Sequence, residues 1–156
     1  MWEKADKGGS RLNWKKEAIE DLRSYNDRKK SLDNMKAKIT ALELQYRTIR
    51  SSSADSTPVQ GGASRTEDSW INNIVQRDRL RLTYQATKPL VALVERGLAG
   101  LTEQQREVLD SFYINHISGH VRRLSEKYHI EQAQVYRMKD EALRQFTINM
   151  YGLIDY

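Results

Sequence analysis

Val121–Leu143, VRRLSEKYHIEQAQVYRMKDEAL, decides how this chain is read. Val121, Leu124 and Tyr128 recur at spacings of three and four and mark the inner face of a short helix. Ser125 stands where a second helix crosses closely and only a small side chain fits. Ile130 follows a turn and plugs the space between the helices. Val135 lies five residues further on, inside a second helix that begins near Glu131-Gln132 and runs to about Met150. Met138, Ala142, Leu143 and Phe146 continue its buried stripe. This spacing predicts a helix-turn-helix, the arrangement that lays its second helix in the major groove of DNA. Many such motifs carry glycine before the plugging residue. Here it is His129, which tolerates a positive φ better than a β-branched residue does.

The outward positions of the second helix follow. Gln132, Ala133, Gln134, Tyr136 and Arg137 are the candidate base-reading residues, with Asp140 on the same side. Glutamine can pair with adenine, arginine with guanine, and alanine can touch a thymine methyl. Arg122, Arg123, Lys127 and Lys139 are the candidate phosphate contacts, which position a protein without reading sequence. Residues 117–148 carry 6 Lys/Arg against 4 Asp/Glu. One copy is therefore expected to bind DNA weakly and with strong salt dependence. A homo-oligomer, a dimer first, would remedy that. The reading that involves no DNA is an ordinary helical pair in a bundle.

Upstream, Leu101-Thr102-Glu103-Gln104-Gln105 opens a supporting helix in which Thr102 and Gln105 have the spacing of a capping box. Val108, Leu109, Phe112 and Tyr113 form its apolar face, and His116–His120 is a short connection. Residues 101–150 are thus expected to form a three-helix domain, followed by a tail at 151–156.

Residues 11–50 contain no proline or glycine. Leu32, Met35, Ile39, Leu42, Tyr46 and Ile49 form a heptad stripe, and Trp14, Ala18, Ile19, Leu22 and Tyr25 extend it less regularly. A second stripe runs through Trp70, Leu80, Tyr84, Thr87, Val91, Val94 and Leu98. Ile71, Ile74, Val75 and Leu90 widen it, and Arg77, Asp78, Arg79 and Arg81 interrupt it. Asp68 or Ser69 is expected to cap this helix, Pro89 to kink or break it, and Gly97 and Gly100 to end it. Between the stripes, residues 51–68 (SSSADSTPVQGGASRTED) read as a flexible loop. The expectation is all-α: a disordered start at 1–10, a coiled-coil-like helical hairpin at 11–100, then the C-terminal domain. Trp14, Tyr25, Tyr46, Trp70 and Tyr84 read as core aromatics rather than a ligand cage.

Composition narrows the function. The chain has 156 residues, 30% of them charged, with only two prolines and a net charge of +5. That suits helical bundles and leaves no spacious active-site cavity. Zero cysteines exclude disulfides, thiolate zinc sites and cysteine nucleophiles. No apolar run is long enough to span a membrane, and the N-terminus lacks the apolar core of a signal peptide. Residues 1–50 carry 13 Lys/Arg against 8 Asp/Glu, so the basic excess lies mostly outside the reading motif. Gly61-Gly62 lacks the strand and lysine of a phosphate loop. His116 and His120 are four apart, but Ser118-Gly119 intervenes and no acidic partner adjoins them. No catalytic constellation, metal site or cofactor is expected, and the chain reads as a non-enzyme.

Leu101–Phe146, LTEQQREVLDSFYINHISGHVRRLSEKYHIEQAQVYRMKDEALRQF, resembles sigma-factor region 4. The shared run is a Leu-Thr opening, an Arg-x-Val-Leu helix, Phe-Tyr, and a helix-turn-helix ending in Lys-x-Glu-Ala-Leu. With its N-terminal helices, the chain is similar to sigma-70 region 4-like proteins of phages and prophages of Gram-positive bacteria, among them the ArpU and RinA late-transcription regulators. The resemblance implies base reading by Gln132, Gln134, Tyr136 and Arg137, and a place in the cytoplasm of a bacterial host. It also implies an accessory activator that binds double-stranded DNA and touches RNA polymerase. No sigma region 2 is visible, so promoter melting is not implied. Two other readings compete. One is a phage DNA-packaging protein resembling a terminase small subunit, in which the DNA-binding part is usually N-terminal. The other is a helical protein-interaction module.

Overall fold

The computed structural model describes residues 13–54 and 63–152, apart from the side chains of Ser53, Ala63 and Ser64. It is all-helical, with no strand among the described residues. The α-helices are α1 (Trp14–Ala54), α2 (Ala63–Ala99), α3 (Glu103–Leu109), α4 (His120–Tyr128) and α5 (Gln132–Tyr151), and a π-helical turn, Asp110–Ile114, follows α3 directly. No helix among them is long and apolar enough to cross a membrane.

Several expectations need correction. α1 runs to Ala54 and α2 starts at Ala63, so 51–54 and 63–68 of the expected loop are helical, and 55–62 lie outside the described residues. Serine-rich sequence can stay helical because the hydroxyl can bond back to a carbonyl one turn earlier. Ser51 Oγ donates to the Arg47 carbonyl at 2.8 Å and Ser69 Oγ to that of Arg65 at 2.8 Å. Asp68 and Ser69 therefore lie inside α2 and cap nothing. Pro89 does not break α2. It sits at an exposed position, and the cost is the one backbone hydrogen bond its missing N–H cannot make. The start at 1–10 and the tail from 153 on lie outside the described residues, and Tyr151 still belongs to α5.

The chain divides into two compact units. One is Ser24–Glu95; the other joins the residues up to Arg23 to those from Arg96 onward.

In the unit Ser24–Glu95, α1 and α2 pair side by side. Tyr25 OH donates to Glu95 at 3.1 Å, Asn73 Nδ2 to the Leu42 carbonyl at 2.9 Å, and the Tyr46 and Trp70 rings lie 6.4 Å apart. Residues rising along α1 meet residues falling along α2, so the two run antiparallel. Met35, Leu42, Val91 and Val94 are buried between them. The α2 stripe is not interrupted where the arginines cluster. It passes through Asn73, which is buried, and Arg77, whose guanidinium lies 5.1 Å from the Tyr46 ring centre. Polar layers of this kind cost stability but set the register of a helical pair.

The second unit is built on α5, which packs against both α3 and α4. Its buried stripe is Val135, Ala142, Leu143, Phe146, Thr147 and Met150. The first turns of α1 close the other side: Ala18 and Leu22 are fully buried, Trp14 stacks on Tyr151 at 4.8 Å, and Tyr151 OH donates to Asp21 at 2.6 Å. Gly97 is buried inside α2 rather than ending it. A Cβ there would come within 2.7 Å of Phe146 and Met150 side-chain carbons. Gly100 lies just past the helix, and a Cβ there would meet Asn149 at 2.5 Å. Both glycines serve close approach to α5, and Asn149 Nδ2 seals the contact on the Gly97 carbonyl at 3.1 Å.

Candidate nucleic-acid interface

The elements around the site follow from local chemistry. Thr102 caps α3 as expected: its Oγ1 accepts from Gln105 N–H while the Gln105 side chain accepts from Thr102 N–H. The chain then widens into the π-helical turn, closed by the Asn115 amide donating to the Asp110 carbonyl at 2.8 Å. This turn buries Ser111 and leaves Phe112 and Tyr113 half-buried against the next elements. Gly119, at φ 77°, turns the chain into α4, a conformation that favours glycine.

Between α4 and α5, His129 takes the left-handed conformation, φ 53° and ψ 46°. Two hydrogen bonds lock the turn. The Ile130 amide donates to the Ser125 carbonyl at 3.1 Å, and Ser125 Oγ donates to the Ile130 carbonyl at 2.5 Å. Ser125 is thus needed for its hydroxyl as well as its size. Val108, Leu124 and Val135 are buried together, with Phe112, Val121, Tyr128, Ile130 and Met138 packed around them.

All five candidate base-reading residues, Gln132, Ala133, Gln134, Tyr136 and Arg137, are exposed on α5. Tyr136 is not loose. Its ring meets Phe112 edge-on at 5.8 Å, and the Lys139 ammonium lies 5.7 Å from both rings. Arg137 makes no ion pair among the described residues. One turn on, Asp140 is held by Lys139 at 3.0 Å and by Lys15 at 3.9 Å.

The four candidate phosphate contacts are not equivalent. Arg122 lies on the exposed surface and pairs with Glu126 at 2.8 Å. Arg123 is exposed and makes no ion pair among the described residues. Lys127 donates to both oxygens of Glu107, at 2.6 and 2.7 Å. Lys139 is largely covered by the aromatic rings. The free cationic edge is narrower than residue type alone suggests.

Glu107 had no signal in the sequence, because its partners lie 20 and 21 residues away. Its carboxylate accepts from Lys127 and from Tyr128 OH, tying α3 to the end of α4. The Lys127 bond, then the Tyr128 bond, holds the Glu107 carboxyl below its usual range. The same carboxylate, helped by burial, pushes the Tyr128 hydroxyl up to about 12.

His116 and His120 lie with ring centres 4.8 Å apart. His120 packs edge-on against Phe112 at 4.3 Å, with Nδ1 3.1 Å from the Ile117 carbonyl. No group of three or more His, Cys, Asp or Glu side chains is placed to hold a metal among the described residues. No protein-family model matches the chain, and neither a curated protein nor a solved structure matches it.

Proposed function

We propose that the chain is a sequence-specific regulator of transcription of the phage or prophage type, binding double-stranded DNA through α4, its turn and α5 as a helix-turn-helix. In this reading α3 to α5 are the three-helix domain, α1 and α2 form the hairpin that carries it, and RNA polymerase is the further partner.

One observation carries the reading. The N-terminal half of α5 exposes a run of side chains suited to base edges, while its opposite side is fixed by a buried core and a locked turn. Rigid presentation matters because bidentate contacts to bases need their donors held in place. Gln132, Ala133, Gln134 and Arg137 have the chemistry to read base edges, with Tyr136 braced beside them. Arg123 and Arg122 are the residues to meet phosphates, while Lys127 and Lys139 serve mainly to hold the fold.

The test is a selection from randomised double-stranded oligonucleotides, followed by binding titrations on the enriched sequence and on a scrambled one. Arg137→Ala is expected to weaken binding to the enriched sequence by about 10- to 100-fold and to leave scrambled binding nearly unchanged. No enrichment, or equal loss on both sequences, would overturn the reading.

A further inference from the structure

The first turns of α1 sort their charges by side. Ala18 and Leu22 are fully buried in the unit built on α5. At about 3.6 residues per turn, Lys15, Lys16 and Arg23 fall on one side of that buried line. Glu17 and Asp21 fall on the other, and Glu20 is on the outer face. The acidic side is engaged within the unit, where Tyr151 OH donates to Asp21 at 2.6 Å.

The basic side runs toward the reading helix. Lys15 lies 3.9 Å from Asp140, and Asp140 stands one turn past Arg137 on the same face of α5. The Arg23 guanidinium lies 5.9 Å from the Tyr113 ring centre. Tyr113 is joined through Phe112 to Tyr136 on α5. Both cations keep exposed side chains there. We propose that this side of α1 is a second phosphate-binding edge of the DNA site, with Lys15 and Arg23 as its contacts.

The inference rests on the reading of α4 and α5 as a helix-turn-helix and adds an element to it. The major groove is about 12 Å wide, so a helix lying in it has a phosphate backbone on each side. α4 brings Arg122 and Arg123 to the reading helix, and α1 brings Lys15 and Arg23. Asp140 alone would repel a backbone, but Lys139 at 3.0 Å and Lys15 at 3.9 Å make that cluster net positive. Phosphate contacts position a protein without reading sequence, so cations on a fixed helix suffice. Trp14 stacked on Tyr151 and the buried Ala18 and Leu22 fix this one. Part of the basic excess of residues 1–50, remote from the motif in sequence, is thereby brought beside it.

Titrations of the full chain on the enriched and the scrambled duplex, over a series of potassium chloride concentrations, test the inference. Lys15→Gln and Arg23→Gln are each expected to weaken both duplexes alike and to reduce the slope of log affinity against log salt by about one. The charge-keeping variants Lys15→Arg and Arg23→Lys are expected to hold the slope, which separates a phosphate contact from a loss of packing. Glu17→Gln changes net charge by the same amount on the other side of α1 and is expected to leave the slope unchanged. No binding to any duplex would overturn this inference together with the reading of α4 and α5. Enriched binding that depends on Arg137, with slopes unmoved in both glutamine variants, would overturn this inference alone. So would a slope that shifts as much in Glu17→Gln as in Lys15→Gln, since net charge and not this side of α1 would then be at work.

Discussion

Glu107 shows how much one surface residue can hold in a small domain. It is partly exposed, yet it receives Lys127 and Tyr128 together and closes the gap between α3 and the end of α4. Its folded pKa is depressed below the ordinary value of 4.5. The folded state therefore gains from the ionised carboxylate above that ordinary value, and the gain is lost as pH falls through the depressed folded value. Glu107→Gln is expected to lower stability at neutral pH and to flatten the acid limb of a plot of stability against pH, as measured by urea denaturation. An acid limb identical to that of the unaltered chain would contradict the clamp. His129 is the other residue on which the site turns. It holds the left-handed conformation that glycine usually supplies, and the Ser125 hydroxyl and backbone bonds around it keep it there. Its tolerance of positive φ was legible in the sequence. The Glu107 clamp was not, because nothing local in a chain marks partners that meet only through folding.

At the scale of helices, close approach decides more than termination. Gly97 reads as a helix end by residue type, but α2 continues past it and Phe146 and Met150 pack where a Cβ would lie. Gly97→Ala is expected to destabilise the chain by about 1–3 kcal/mol, the usual cost of forcing atoms into a packed core, with thermal unfolding as the readout. The local helix propensity of alanine would favour the change by about 1 kcal/mol, so the sign reports which effect wins. An unchanged or raised melting temperature would show that Phe146 and Met150 yield without cost. The same reasoning explains the longer helices. Ser51 and Ser69 satisfy their hydroxyls inside the helix, so polar composition did not mark the ends. Heptad spacing, by contrast, located the pairing stripe of α1 well, because burial of every third or fourth residue is what holds two helices together. On α2 it missed Asn73 and Arg77, since a hydrophobic pattern cannot count a buried asparagine or a guanidinium stacked on a ring.

At the scale of the whole molecule, charge and its distribution set how DNA would be held. The net charge of +5 sits mostly in residues 1–50, and the motif of α4 and α5 contributes little of it. Three of its four candidate phosphate contacts, Arg122, Lys127 and Lys139, already pair with a carboxylate within the fold. Arg123 is the one left without an ion pair, so Arg123→Ala is expected to weaken binding to all sequences about equally. It should also reduce the slope of log affinity against log salt by about one. A loss confined to the enriched sequence would instead make Arg123 a base contact.

The amino-acid sequence by itself determined the all-helical class, the capping box of α3, the heptad face of α1 and the buried spacing from Val121 to Phe146. Each of these is periodic or local, and helix geometry turns spacing along the chain directly into a face or a cap. Only the tertiary structure decided that the first turns of α1 pack with α5, that Gly97 and Gly100 serve contact, and that Lys127 is bound to Glu107. It also left Ile71, Val75 and Leu82 uncovered. These depend on which surfaces meet, and that is settled by shape and charge across tens of residues rather than by the order of neighbours.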